Sequence, residues 1–113
     1  MDLQQTKTSS LRRRRTVLFK RIITIGPRIL RGSLIERYIR CGKPGCKCVN
    51  TPGHGPKYYL SVSYPGRRPE QEYVLQRDHQ QVEELLSNYQ TIKQILEEIS
   101  SINRELLRRR NGL

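Results

Sequence analysis

The chain has 113 residues and a formal net charge of +12, from 22 Lys and Arg against 10 Asp and Glu. With 35% hydrophobic residues, no Trp and one Phe, it can bury only a small core, and a domain of this size commonly needs a metal, a disulfide or a partner chain. No stretch approaches the ~20 apolar residues of a membrane span, the N-terminus lacks the apolar core of a signal peptide, and three crowded cysteines suit reduced thiols or a metal better than a secreted disulfide frame, so a cytoplasmic protein without a membrane partner is expected.

The positive charge is one-sided. Residues 1–40 hold 11 basic and 2 acidic side chains, whereas residues 78–113 hold 5 and 6. A field of this kind favours a polyanion, nucleic acid above all.

Residues 1–16 read as a disordered basic arm. Gln, Thr and Ser lead into an unbroken block, Arg12, Arg13, Arg14 and Arg15, whose mutual repulsion resists folding until phosphates or other anions neutralise it. Residues 17–77 read as a small β domain. Val17, Phe19, Ile23 and Ile25 suggest a short strand, closed by Gly26-Pro27. Residues 34–40 form the next strand and deliver the chain to Cys41.

Cys41, Cys46, Cys48 and His54 then fall within fourteen residues in a C-x4-C-x-C-x5-H spacing. Three thiolates and an imidazole suit a closed tetrahedral zinc site. The glycines and prolines between and around them let the backbone turn sharply, and Lys43 and Lys47 would offset the thiolate charge. An iron–sulfur centre, or three ordinary thiols in a Gly/Pro-rich loop, are the alternatives. No acid–base constellation accompanies the thiols, so no enzyme activity is expected.

Tyr58, Leu60, Val62 and Tyr64 alternate with Tyr59, Ser61 and Ser63, the cleanest period-two pattern in the chain. The alternation places Tyr58 and Tyr64 on a core face and leaves Tyr59 open to a contact role. Pro65-Gly66 turns the chain, and residues 71–76 return, making a hairpin with Arg67 and Arg68 at its tip. Asp78 then reads as an N-cap with Gln81 completing a capping box.

Residues 78–110 contain no Gly or Pro and read as one long helix. Val82, Leu85, Tyr89, Ile92, Leu96, Ile99, Asn103 and Leu106 make a heptad seam with one polar place, as in a coiled coil. At 1.5 Å per residue, ~30 residues span roughly 45 Å, more than a small sheet can cover, so the far half is expected to hold a second copy or a larger protein. A break near Ser87-Asn88 or Ser100-Ser101, folding the segment into a helical hairpin, is the alternative. The expected fold is α+β: a strand and a hairpin in an antiparallel sheet, stapled by the Cys₃His loop and followed by a long amphipathic helix.

Three blocks carry a resemblance: Gly32-Ser33-Leu34-Ile35-Glu36-Arg37-Tyr38, Arg40-Cys41-Gly42-Lys43-Pro44-Gly45-Cys46-Lys47-Cys48, and His54-Gly55-Pro56-Lys57-Tyr58-Tyr59-Leu60-Ser61. Together with Tyr73-Val74, Asn88-Tyr89 and Asn103-Arg104-Glu105 they resemble a family of small uncharacterised prokaryotic proteins known only as a domain of unknown function. The resemblance spans about residues 32–108, leaves the basic arm outside, and implies an association with mobile genetic elements and a shared ligand set at Cys41, Cys46, Cys48 and His54.

Two functions fit. The first is a nucleic-acid-binding protein, with double-stranded DNA as the first expectation, using Arg12, Arg13, Arg14, Arg15, Lys43, Lys47, Lys57, Arg67 and Arg68. The second is an adaptor whose long helix dimerises or docks on a larger nucleic-acid enzyme.

Overall fold

The computed structural model describes residues 2–39, 54–110 and 112–113, with the backbone alone at residues 39, 54 and 55. Cys41, Lys43, Cys46, Lys47 and Cys48 lie outside the described residues, so the expected staple is not tested by this architecture. Five main elements follow one another: α1 (Thr8–Ile25), β1 (Ser33–Ile39), β2 (His54–Tyr64), β3 (Arg67–Val74) and α2 (His79–Arg109). The fold is α+β, with a three-stranded antiparallel sheet in the order β1-β2-β3 and a long C-terminal helix. Contacts divide the chain into two compact units, Met1–Ile29 with Ser87–Leu113, and Leu30–Leu86.

The first unit corrects the reading of the N-terminus. Residues expected as the end of a disordered arm and a short strand form one helix, α1. Leu11, Leu18, Ile22 and Ile25 fall at helical spacing, and the stripe overrides the weak strand preference of the β-branched residues. Thr16 and Thr24 donate their hydroxyls to the carbonyls of Arg12 and Lys20 at 3.1 and 3.0 Å, a bond that satisfies them inside a helix. Gly26, at φ +61°, closes the helix with its N–H on the Ile22 carbonyl at 2.9 Å.

Helix α1 runs antiparallel to the later part of α2. Arg109 reaches Thr8 Oγ1 at 3.1 Å at one end of the pair, and Asn88 Nδ2 donates to the Arg28 carbonyl at 2.9 Å at the other. Leu11 and Leu18 form a buried cluster with Ile95, Ile102 and Leu106, and Leu3, Ile22 and Ile99 pack around it. Each fully buried side chain of this size contributes about 1.5–3 kcal/mol. Helix α2 itself is continuous over 31 residues, so neither Ser87-Asn88 nor Ser100-Ser101 breaks it.

The inward stripe of α2 is rotated from the expected seam. Ile95, Ile99, Ile102 and Leu106 face α1, whereas Leu96 is 53% exposed. Asn103 is half-buried, its Oδ1 accepting from Arg15 at 2.7 Å. Part of the seam is therefore occupied within the chain, because α1 supplies a partner that the reading of the arm did not include.

In the second unit, the antiparallel register pairs Leu34 with Leu60 and Leu60 with Glu72, and pairs Ile35 with Tyr59 and Tyr59 with Tyr73. Leu60 and Val74 are buried. Tyr58 stacks against His79 of α2, ring centroids 4.1 Å apart, and Leu30 N–H donates to the Leu85 carbonyl at 3.1 Å. Residues 79–86 thus pack on the side of the sheet that carries Tyr58, Leu60 and Val74. A 3₁₀ turn, Gln76–Asp78, leads into the helix.

Candidate nucleic-acid interface

Strand alternation sorts the sheet's side chains into two sets. Leu34, Glu36, Tyr58, Leu60, Val62, Glu70, Glu72 and Val74 share the face packed by α2. Ser33, Ile35, Arg37, Lys57, Tyr59, Ser61, Gln71 and Tyr73 share the other. All three carboxylates of the described strands, Glu36, Glu70 and Glu72, fall on the packed face. The second face has none, and it is largely open: Ser33, Arg37, Lys57 and Gln71 are exposed, Tyr73 is 54% exposed, and Ile35, Tyr59 and Ser61 are half-buried.

The open face has an ordered layout. Ile35, Tyr59 and Tyr73 form a row across the three strands. Arg37 and Lys57 pair on one side of it, and Ser33, Ser61 and Gln71 line up on the other. The Tyr59 and Tyr73 rings are tilted by 59° with centroids 5.5 Å apart, and the Arg37 guanidinium sits 5.2 Å from the Tyr59 ring centroid. An exposed cation–π contact is worth ~0.5–1 kcal/mol. A base stacked on an aromatic ring is worth ~1–3 kcal/mol. A base stacked on such a ring is thus worth at least as much as the cation–π contact.

The packed face is chemically different. An open groove of about 510 Å³ lies there, lined by Leu60, Val62, Glu70, Glu72, Asp78 and Val82 among others. Arg31 also lines it, and Glu70 is paired with Arg67, so Glu72 and Asp78 carry the rest of its negative charge. On the same side Tyr38 donates its hydroxyl to Glu36 Oε1 at 2.9 Å, and that bond, then the Glu36 charge, raises the phenol above its ordinary pKa.

The expected contact residues end in different places. Lys57 lies on the open face. Arg68 is exposed at the end of the hairpin, beside the register shift between β2 and β3. Arg67 instead covers Tyr64, 4.1 Å from the ring centroid, and pairs with Glu70 at 3.4 Å. Arg12, Arg13, Arg14 and Arg15 belong to α1. Arg14 bridges to Glu98 at 3.1 Å, and Arg15 donates to Asn103 and to the Leu113 carbonyl, each at 2.7 Å. Arg12 donates to the Gly112 carbonyl at 3.2 Å. Arg14 and Arg15 thus take part in the helix pair rather than trailing as an arm. Arg37 and Tyr73 were absent from the expected contact set, and only the cross-strand register reveals that they flank Tyr59.

Among the described residues, no group of three or more His, Cys, Asp or Glu could hold a metal ion, and none of the four expected ligand side chains is among them. The register does bring together the two ends of the cysteine-bearing segment, since Ile39 pairs with His54.

Residues 8–85 match a family model described as Domain of unknown function (DUF6788). The chain belongs to that family. The DUF6788 match opens at the first residue of α1, upstream of the resemblance read from residue 32, and closes inside α2. The basic helix is thus part of the family's domain. No curated protein and no solved structure matches the chain. No helix among the described residues is long and apolar enough to cross a membrane.

Proposed function

We propose that this DUF6788 protein binds nucleic acid through the open face of its sheet. The observation that carries the reading is the partition of charge: Arg37 and Lys57 stand on the open face beside two tyrosines, while Glu36, Glu70 and Glu72 all stand on the other. A phosphate backbone gains from the cations without meeting a carboxylate on that face. The overall charge of +12 supplies non-specific attraction in the same direction. The open face replaces the hairpin tip as the main contact, because Arg67 is already engaged with Tyr64 and Glu70. The setting implied by the family resemblance is a mobile genetic element.

Zinc belongs to the same proposal as a structural ion. Cys41, Cys46, Cys48 and His54 supply a donor set that zinc accepts, and the Ile39–His54 pair closes the segment that carries the thiols. The ion would hold that segment against the sheet.

The test is a fluorescence-anisotropy titration of the full chain against labelled DNA and RNA over a range of salt. Affinity should fall steeply as salt rises, with a log–log slope of about −0.7 to −0.9 per phosphate neutralised. Arg37→Ala with Lys57→Ala should weaken binding and flatten that slope. Absent or salt-insensitive binding to both polymers would remove the reading.

A second reading, the adaptor, is favoured by the helix pair. Phe19, Leu96 and Leu107 are 56%, 53% and 64% exposed. The two grooves beside them are lined by Arg15 and Arg104 and by no Asp or Glu. The cations there suit a protein with an apolar ridge and acidic flanks, which is the occupant proposed. Sedimentation of the chain alone should then show a monomer. A stable dimer lost in Leu96→Glu would replace the foreign partner with a second copy.

A further inference from the structure

Resting on the nucleic-acid reading above, we infer that the ligand of the open sheet face is a single strand, with bases stacked on Tyr59 and Tyr73 and phosphates held by Arg37 and Lys57. A duplex keeps its bases stacked on one another and offers a flat protein surface only its phosphates. Cations alone would serve such a ligand. The two rings do something only if bases are splayed out, which is how sheet surfaces commonly hold single strands.

The layout matches one nucleotide unit at a time. Same-face neighbours along a strand are about 7 Å apart. The Tyr59–Tyr73 row thus stands one such step from the Arg37–Lys57 pair, close enough for a nucleotide to set its base on a ring and its phosphate at a cation. On the far side of the rings stand Ser33, Ser61 and Gln71. Each hydroxyl or amide can both donate and accept, so the edge of any base finds a complement. Recognition is therefore tolerant of sequence and selective for an unpaired strand.

Tyr73 is more than half exposed, so changing it leaves the sheet's packing intact. The chain has six Tyr and no Trp, so tyrosine emission is not masked by Trp, and the part of its quenching that Tyr73→Leu removes reports stacking on that ring. The experiment measures binding of labelled oligothymidylate, and of a DNA duplex of equal length, to the full chain and its variants. Circular dichroism confirms folding.

The wild type should prefer the single strand, with its tyrosine emission quenched. Tyr73→Leu should weaken single-strand binding about tenfold, and Tyr59→Leu with Tyr73→Leu more, while duplex binding stays unchanged. Tyr73→Phe should retain binding, because its ring still stacks. Unchanged single-strand affinity in Tyr73→Leu, together with loss in Arg37→Ala with Lys57→Ala, would overturn the stacking platform and leave the nucleic-acid reading standing. A wild type that binds neither polymer at low salt would overturn both.

Discussion

Arg109 donates from Nε to Glu105 Oε2 at 2.9 Å. The same guanidinium also reaches the Leu3 carbonyl at 2.7 Å and Thr8 Oγ1 at 3.1 Å. Arg108 holds the other carboxylate oxygen at 2.8 Å. Glu105 is the buried charged residue of the described chain, 5% exposed, and the hydrogen bonds from Arg108 and Arg109 lower its pKa below the usual glutamate range. Two cations near the end of α2 suit the helix's negative pole, and one of them fastens the start of the chain.

A carboxylate whose folded pKa is depressed stabilises the fold fully above its ordinary pKa of about 4.3, and that contribution disappears as pH falls through the lowered value. Glu105→Gln should lower the urea midpoint at pH 7, and the difference from wild type should shrink in acid. A difference that grows in acid would contradict the assignment.

The buried cluster sets a larger scale. Ile102 is 0% exposed, whereas Leu107 on the same helix is 64% exposed. Ile102→Ala should destabilise by about 2–5 kcal/mol, and Leu107→Ala by less than about 0.5 kcal/mol. Equilibrium urea denaturation followed by circular dichroism separates the two.

Gly32 stands immediately before β1 at φ +142°, where an added Cβ would lie 2.6 Å from the Ser61 carbonyl oxygen. Both the positive φ and the clash with backbone exclude a side chain. Gly32→Ala should cost about 1–3 kcal/mol and loosen the β1–β2 pairing, seen as faster amide exchange at residues 33–37. By contrast, Gly66, at φ +73° in the turn, has nothing within 4 Å, so Gly66→Asn should cost less.

For the proposed zinc, elemental mass spectrometry of protein expressed with ample metal should find about one zinc per chain. Cys46→Ser should lose the metal and lower the melting temperature. Zinc-free wild-type protein with an unchanged melting temperature on chelation would remove the ion from the proposal.

How much could be read from the sequence depended on whether the forces were local. The hairpin was legible because Tyr58, Leu60, Val62 and Tyr64 alternate and Pro65-Gly66 turns the chain, although the return strand starts at Arg67 rather than at residue 71 and ends at Val74; α2 was legible because nothing interrupts it. Helix α1 was not, since its four consecutive arginines repel one another until Glu98 and Asn103, more than eighty positions away, come alongside Arg14 and Arg15. That pairing also hides which stripe of α2 turns inward. Tyr59 was correctly separated from Tyr58 and Tyr64 by alternation alone. Its neighbours Arg37 and Tyr73 come from two other strands, and only a register names them. The three cysteines lie outside the described residues.

The unequal loading of the two sheet faces gives this thin layer a transverse dipole. At physiological ionic strength the Debye length is about 8 Å, comparable with the ~10 Å spacing of layers packed against a sheet. The two signs therefore do not blur together in solution. On the proposed reading, a polyanion close to the sheet is drawn to the side that carries Arg37 and Lys57, so its search is confined to that side before any base is engaged.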